Sequence, residues 1–406
     1  MRSLAIDLRS GHPHASHLPP LSSLPPLSSL DPRCLNYGAE AGAEAVRGEV
    51  GRFVEANDGS RDGAPRPCPG GSLFMTSGVS HGLELLCKVL LRPSEPPSSS
   101  PPSSSPPVVL VEQPTYFLAA EIFRGHGALV LPAPMHPDGG VDVAELERRL
   151  SSGFYPSRPS LLYVIPSHHN PTGFSYSRPH REELCALATT QRLHVVADEV
   201  YHFLSWRGAR PPRMVACAPG ASPFVLSVSS VTKIFSPGAR CGWVECADPA
   251  LRESLEGIGY VQSQGGVAPL VGELVRASMA AGAVQRSLDG LVAEYAGRAR
   301  LVEEALGGVG GMSVEFPLDG GYFAWVRFEL PGGMDIKAFC ELLEAADEPV
   351  RLLPGNVCRV EGGEEEGEQH ARLCFASLDT EELVEGLRRL RAEYIRVKGE
   401  TGSGIV

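Results

Sequence analysis

The sequence predicts an α/β protein: a large domain with a mostly parallel sheet sandwiched by helices, plus a smaller α/β C-terminal domain. Two observations carry the sheet. Short apolar runs of strand length recur between residues 108 and 246, and helix-like segments separate several of them. Parallel neighbours need a long crossover, usually a helix, so this alternation favours a parallel sheet covered on both faces. A third observation is size. The chain has 406 residues, 43% of them hydrophobic and 21% charged. That is ordinary globular composition, with material for more than one small domain.

The strand-like runs are Val108–Val111, Ala128–Leu131, Leu161–Ile165, Leu193–Ala197, Phe224–Val228 and Gly242–Cys246. Their length and β-branched content suit buried strands. The helix-like segments include Leu83–Leu91, Tyr116–Arg124, Val143–Leu150 with Asp142 as N-cap, and Pro179–Gln191 with Pro in the first turn. Residues 93–107 are almost all Pro and Ser, and are expected to form an exposed, poorly ordered insertion. Leu18–Pro32 reads as an ordered but irregular arm, and Glu361–Glu368 as a solvated acidic loop. No internal repeat is evident. The expected organisation is an arm over residues 1–49, a large domain over 50–285 and a small domain over 286–406.

Charge narrows the function classes. There are 36 basic and 48 acidic residues, a net charge of −12. Neither a nucleic-acid footprint nor a polybasic membrane patch is expected. No apolar run is long enough to span a bilayer, and Met1–Pro13 lacks a secretory h-region. The ten cysteines form no Cys-x-x-Cys pair and read as free thiols in a reducing, cytoplasmic setting. The histidines show no zinc spacing, and His168-His169 reads as part of a turn, so no metal site is expected.

In parallel sheets, ligands gather at the carboxyl ends of the strands. Three runs end in polar clusters there: Asn170-Pro171-Thr172-Gly173, Asp198-Glu199-Val200-Tyr201, and Ser230-Val231-Thr232-Lys233. A buried lysine loses pKa and becomes a nucleophile toward a carbonyl. An aldehyde cofactor on such a lysine also needs an anion for its ring nitrogen and a cradle for its phosphate. Asp198 can supply the first. Gly78, Val79, Ser80, Ser230 and Arg240 can supply the second.

These residues resemble the class I/II aminotransferases, which are fold-type-I enzymes dependent on pyridoxal 5′-phosphate. The matching pieces, in family order, are Tyr37-Gly38 with Gly42, Thr76-Ser77-Gly78, Glu112-x-Pro114-Thr115-Tyr116, Asn170-Pro171-Thr172-Gly173 and Asp198-Glu199-Val200-Tyr201. Then come Ser230-x-Thr232-Lys233 with Pro237-Gly238-x-Arg240-x-Gly242-Trp243, and Arg372-Leu373-x-Phe375-Ala376. They cover roughly residues 5 to 395. The short interval from Lys233 to Arg240 is similar to the 2-aminoadipate and aromatic aminotransferase subgroup. Cys358 departs from the family pattern, standing where an aromatic residue is expected.

The resemblance implies roles. Lys233 would hold the cofactor as a Schiff base and shuttle the substrate Cα proton. Asp198 would pair with the pyridinium nitrogen, and Asn170 and Tyr201 would hydrogen-bond the ring oxygen. Tyr116 would stack on the ring, and Gly78, Val79, Ser80, Ser230 and Arg240 would hold the phosphate. Arg372 would bind the substrate carboxylate. Tyr37 would reach the phosphate of a second subunit, which implies a homodimer. The expected function is amino-group transfer between an L-amino acid and a 2-oxo acid by a ping-pong mechanism. The same residues could serve a C–S lyase or an aminocyclopropane-carboxylate synthase. A non-catalytic regulator is disfavoured by the acidic charge.

Overall fold

The computed structural model describes residues 4–59, 67–91, 105–360 and 369–402. The expected Pro/Ser insertion, save residues 105–107, and the acidic loop at 361–368 lie outside the described residues. Among the described residues, thirteen strands follow in chain order. They are β1 (Ile6–Asp7), β2 (Leu73–Thr76), β3 (Val108–Val111), β4 (Leu129–Pro132), β5 (Pro159–Val164), β6 (His194–Asp198) and β7 (Val225–Ser230). The rest are β8 (Gly242–Cys246), β9 (Met312–Val314), β10 (Phe323–Phe328), β11 (Val350–Arg351), β12 (Leu353–Pro354) and β13 (His370–Cys374).

Strands β2 to β8 form one sheet in the order β2-β8-β7-β6-β5-β3-β4. All six runs expected from the sequence are strands of it, with ends shifted by up to two residues. The sheet is parallel except for β8, which runs against both β2 and β7. The short segment between β7 and β8 explains the reversal, because a parallel return needs a crossover of a dozen or more residues. Chain reversal at this rim sets Lys233 and Arg240 near each other. Strand β2 is fully buried but too short and too close to Gly70-Gly71 to stand out by pattern.

The helices are built as their sequences direct. Asp142 Oδ1 accepts from the Glu145 amide at 2.9 Å and caps the Val143–Ser152 helix. Ser177 caps Arg178–Gln191, with Pro179 in its first turn. The second sheet, β12-β13-β10-β9, is antiparallel, and β1 pairs in parallel with β11. The first strand is thereby tied to the C-terminal part of the chain. The helices Glu44–Asn57 and Ala283–Leu306 run unbroken across residues 50 and 286.

The N-terminal arm holds a repeat that the sequence reading misses. Pro-Pro-Leu-Ser-Ser-Leu occurs twice, over residues 19–24 and 25–30. Each copy forms the same 3-10 turn, with Ser23 Oγ and Ser29 Oγ each donating to a proline carbonyl at 2.8 Å. All ten cysteines are free. No described helix is long and apolar enough to cross a membrane.

Candidate active site

A cavity of ≈ 420 Å³ opens at the carboxyl ends of β5, β6 and β7. Ten of the twelve residues proposed from the sequence line it: Lys233, Val79, Ser80, Tyr116, Asn170, Asp198, Tyr201, Ser230, Arg240 and Arg372. Gly78 is not among the lining residues but packs against Arg240. Tyr37 does not join them. It is 83% exposed on the arm, beside a separate surface hollow with Arg33 and Gly38.

Lys233 follows β7, and Nζ donates to the Gly11 carbonyl at 2.5 Å. Its ammonium lies 5.8 Å and 5.4 Å from the ring centroids of Tyr201 and Tyr322. Burial pushes its pKa down to about 8, helped by the positive charges of Arg372 and Arg240 and opposed by Asp198. A sizeable neutral fraction near neutral pH makes it a usable nucleophile and base.

Asp198 ends β6. Burial pushes its pKa up to about 6, while the Tyr163 hydroxyl, the Val200 amide and the charge of Lys233 pull the other way. Tyr163 donates to Oδ2 at 2.8 Å and the Val200 amide to Oδ1 at 3.3 Å. Tyr163 is missed by the sequence reading. Its signal is a hydroxyl inside the aliphatic run Leu161-Leu162-Tyr163-Val164-Ile165, since a buried tyrosine OH needs a partner.

The anion end is built by close approach of backbone to guanidinium. Gly78 has φ +94°, and a Cβ there would come within 2.6 Å of Arg240 Nη2. Only glycine lets Arg240 lie against the start of the Val79–Leu90 helix, whose first amides are free to bind an anion. Arg240 itself adopts φ +46°, an uncommon conformation for a residue with a Cβ. Ser230 Oγ accepts from the Thr232 amide at 2.8 Å, so its proton remains available to a ligand.

Arg372 lies in β13 opposite Trp325. Nη1 donates to Asn170 Oδ1 at 2.7 Å and Nη2 to the Arg9 carbonyl at 2.6 Å. The guanidinium stands 4.2 Å over the Phe323 ring, and Nε is buried without a partner among the described residues. Because arginine only donates, Asn170 must present Oδ1 to it, which leaves the Asn170 amide hydrogens for a ligand. Gly11, in a Gly11-His12-Pro13 segment similar to a family Gly-x-Pro segment that lies near substrate, and Phe323, read from the sequence as part of a strand and not as a site residue, complete the wall around Lys233 and Arg372.

One grouping outside the cavity also escapes sequence spacing. His14, Asp379 and Glu382 bring three possible metal-ligand atoms within 4.8 Å of one another. The two carboxylates already accept backbone amides at the start of the last helix.

Fold and cavity together define an enzyme of the fold-type-I aminotransferase architecture. The chain matches the family described as aminotransferase class I and II over residues 32–390. It is 30% identical to a 2-aminoadipate transaminase of Thermus thermophilus over 323 residues, which is 78% of this chain and 74% of the relative. Among solved structures it is similar to the α-aminoadipate aminotransferase of Thermus thermophilus, crystallised with N-(5′-phosphopyridoxyl)-L-leucine. There the identity is 26%, the TM-score 0.77, and the coverage 98% of this chain and 93% of that one. A kynurenine aminotransferase of Pyrococcus horikoshii, at 24% identity, shares the fold with a TM-score of 0.80 over 97% of this chain and 91% of its own. The chain belongs to the class I and II aminotransferase family, and it is an aminotransferase.

Proposed function

We propose that Lys233 is the residue that holds pyridoxal 5′-phosphate, and that the chain moves an amino group between an L-amino acid and a 2-oxo acid. The carrying observation is a half-buried lysine of lowered pKa in one cavity with a buried aspartate and a pre-oriented arginine. The groups present fit the cofactor's three ends: amine for aldehyde, carboxylate for ring nitrogen, and glycine-permitted arginine with helix amides for phosphate. When bound, the cofactor supplies an electron-accepting ring that acidifies the substrate Cα–H.

The chain's own residues do the rest. Lys233 Nζ takes the Cα proton and returns it. Asp198 stays ionised beside the ring nitrogen with help from Tyr163. Val79, Ser80, Ser230 and Arg240 hold the phosphate, and Gly78 makes room for it. Tyr116 stacks on the ring, and Asn170 and Tyr201 donate to its oxygen. Arg372 binds the substrate α-carboxylate, a planar match of donors to acceptors. The apolar lining from Leu83, Phe117, Leu118 and Phe323 suits donors with apolar or aromatic side chains. The leucine adduct bound by the Thermus relative is of that class.

Tyr37, exposed and remote from its own cavity, suits a second subunit's phosphate in a homodimer. The proposed division is an arm, a large domain bearing the seven-stranded sheet and a small domain bearing the antiparallel one, with long helices crossing its boundaries at residues 50 and 286.

The test is an absorbance spectrum of the protein with pyridoxal phosphate before and after a panel of L-amino acids, repeated on Lys233→Ala. A lysine-dependent band that collapses with a donor and recovers with a 2-oxo acid is expected. Lys233→Ala should lose the band and roughly 10²–10⁴-fold or more of the turnover. Absence of a lysine-dependent band refutes the cofactor assignment. Pyruvate and ammonia from a β-substituted amino acid, without recovery by a 2-oxo acid, would mark elimination instead.

A further inference from the structure

A second cavity, of ≈ 140 Å³, lies behind the Asn170–Gly173 turn, between the Glu112–Pro114 segment and β10. Phe174, Phe316 and Trp325 give it aromatic walls, and Trp325 stacks on His370 with centroids 5.3 Å apart and planes 5° apart. Three polar atoms of its lining residues are buried without a hydrogen-bond partner among the described residues: Gln113 Nε2, His169 Nε2 and His370 Nδ1. Buried polar atoms are seldom left unpaired, so three around one cavity call for an occupant.

The polarity of each atom can be assigned. Gln113 Oε1 accepts from the Val360 amide at 3.0 Å, so Nε2 is the amide nitrogen and donates. His169 Nδ1 faces the Thr172 amide at 3.4 Å and the Thr172 hydroxyl at 2.8 Å. That hydroxyl accepts from the Phe174 amide, so its own proton points to Nδ1. His169 therefore carries its proton on Nε2 and donates there. Glu112 Oε2 lies 3.2 Å away without hydrogen-bond geometry; it takes the Ile165 amide at 2.7 Å, and Oε1 takes the Tyr176 hydroxyl at 2.8 Å. His370 is kept neutral by burial, and its Nε2 lies 3.5 Å from Glu315 Oε2. A proton shared with Glu315 leaves Nδ1 as an acceptor.

We propose that this cavity binds a small, neutral, planar molecule bearing a carbonyl oxygen beside an N–H: a primary carboxamide or a lactam on a ring. The carbonyl meets the donors of Gln113 and His169, and the N–H meets His370 Nδ1. The ring lies among Trp325, Phe174 and Phe316. A cavity of ~150 Å³ takes up a benzene-sized ring, so the volume suits the aromatic part of such a ligand. Glu112 and Glu315, both at the cavity, disfavour an anion. The site is distinct from the lysine cavity and independent of the cofactor reading, yet close to it in the chain. His169 precedes Asn170, and His370 stands two residues before Arg372, so the occupant flanks the Arg372–Asn170 hydrogen bond.

The test is calorimetric titration of the full-length holoenzyme with benzamide, and with benzoate as the charged isostere. Saturable one-to-one binding of benzamide is expected, with benzoate weaker by roughly tenfold or more. Gln113→Glu keeps the acceptor for Val360 and turns the donor into an acceptor. It should weaken benzamide by roughly tenfold or more. His370→Phe keeps a ring against Trp325 and removes Nδ1, and should weaken it severalfold. Both variants are checked for an unchanged melting temperature and cofactor spectrum. Should either fail to fold, a crystal of wild type soaked in benzamide locates the site directly. No saturable binding, equal binding of benzoate, indifference to both substitutions in folded protein, or benzamide bound only at Lys233 would each overturn the proposal.

Discussion

Two buried clusters of charge share the large sheet and have opposite characters. Around Arg213 every charge is matched. Its Nε and Nη2 donate to Glu245 at 2.6 Å and 2.9 Å, its amide donates to Asp58 at 2.9 Å, and its Nη1 also bonds Asp58. His202 adds a contact to Asp58 at 3.0 Å. Burial pushes the Asp58 pKa up, but His202 and Arg213 outweigh it and hold the carboxyl at about 2. At the rim, Asp198 is buried and Lys233 half-buried, yet among the described residues no ion pair joins them. Their pKa values move toward each other, to about 8 and about 6. A matched cluster keeps its charges and serves the fold. An unmatched one is left able to exchange protons, which is what chemistry needs.

The contrast can be broken at its matched side first. Arg213→Leu leaves Asp58 and Glu245 buried without their cation, and should lower stability by about 3–5 kcal/mol in denaturant melts. A smaller loss would mean that water reaches the cluster. Lys233→Met in the cofactor-free protein should act with the opposite sign. The folded pKa of Lys233, about 8, is below its ordinary 10.5, so the native state binds fewer protons between these values. Its cost is therefore full below pH 8 and fades as pH rises toward 10.5. Removing the amine should stabilise the protein by a net of about 2 kcal/mol at pH 7, after about 1 kcal/mol for the lost bond to Gly11, and should destabilise it by up to about 1 kcal/mol near pH 10.5, where only that loss remains. Urea melts at the two pH values check the sign. The smallest effect sharpens the comparison within the rim. Tyr163→Phe removes a donor to Asp198 and should raise that carboxyl's pKa further above 6. The expected loss is about 1.5 kcal/mol, or roughly tenfold in kcat/KM. The acid limb of the pH profile should shift to higher pH, a change that simple loosening of the fold would not produce.

Much of this was legible in the chain. The six apolar runs between residues 108 and 246 are strands because a buried parallel strand is apolar along its whole length. The residues just past them meet at one rim because parallel strands end on the same side. The Asp142 cap follows from local chemistry alone. Less legible were features with weak local pattern. β2 is four residues long. The arm's hexad repeat alternates exposed and inward leucines in turns, where neither helical nor strand period applies. Tyr163 hides in a run whose period marks only burial.

Motif order and local periodicity thus carried the fold class and most of the cavity's residues, since both depend on neighbours in the chain. What they could not carry is which distant groups touch. The Arg372–Asn170 bond joins residues 202 apart, and the Lys233–Gly11 bond residues 222 apart. Tautomers of His169 and the amide orientation of Gln113 likewise follow from partners brought in by packing. Such pairings are selected by the whole packed arrangement, because a buried donor takes whichever acceptor the fold sets within reach.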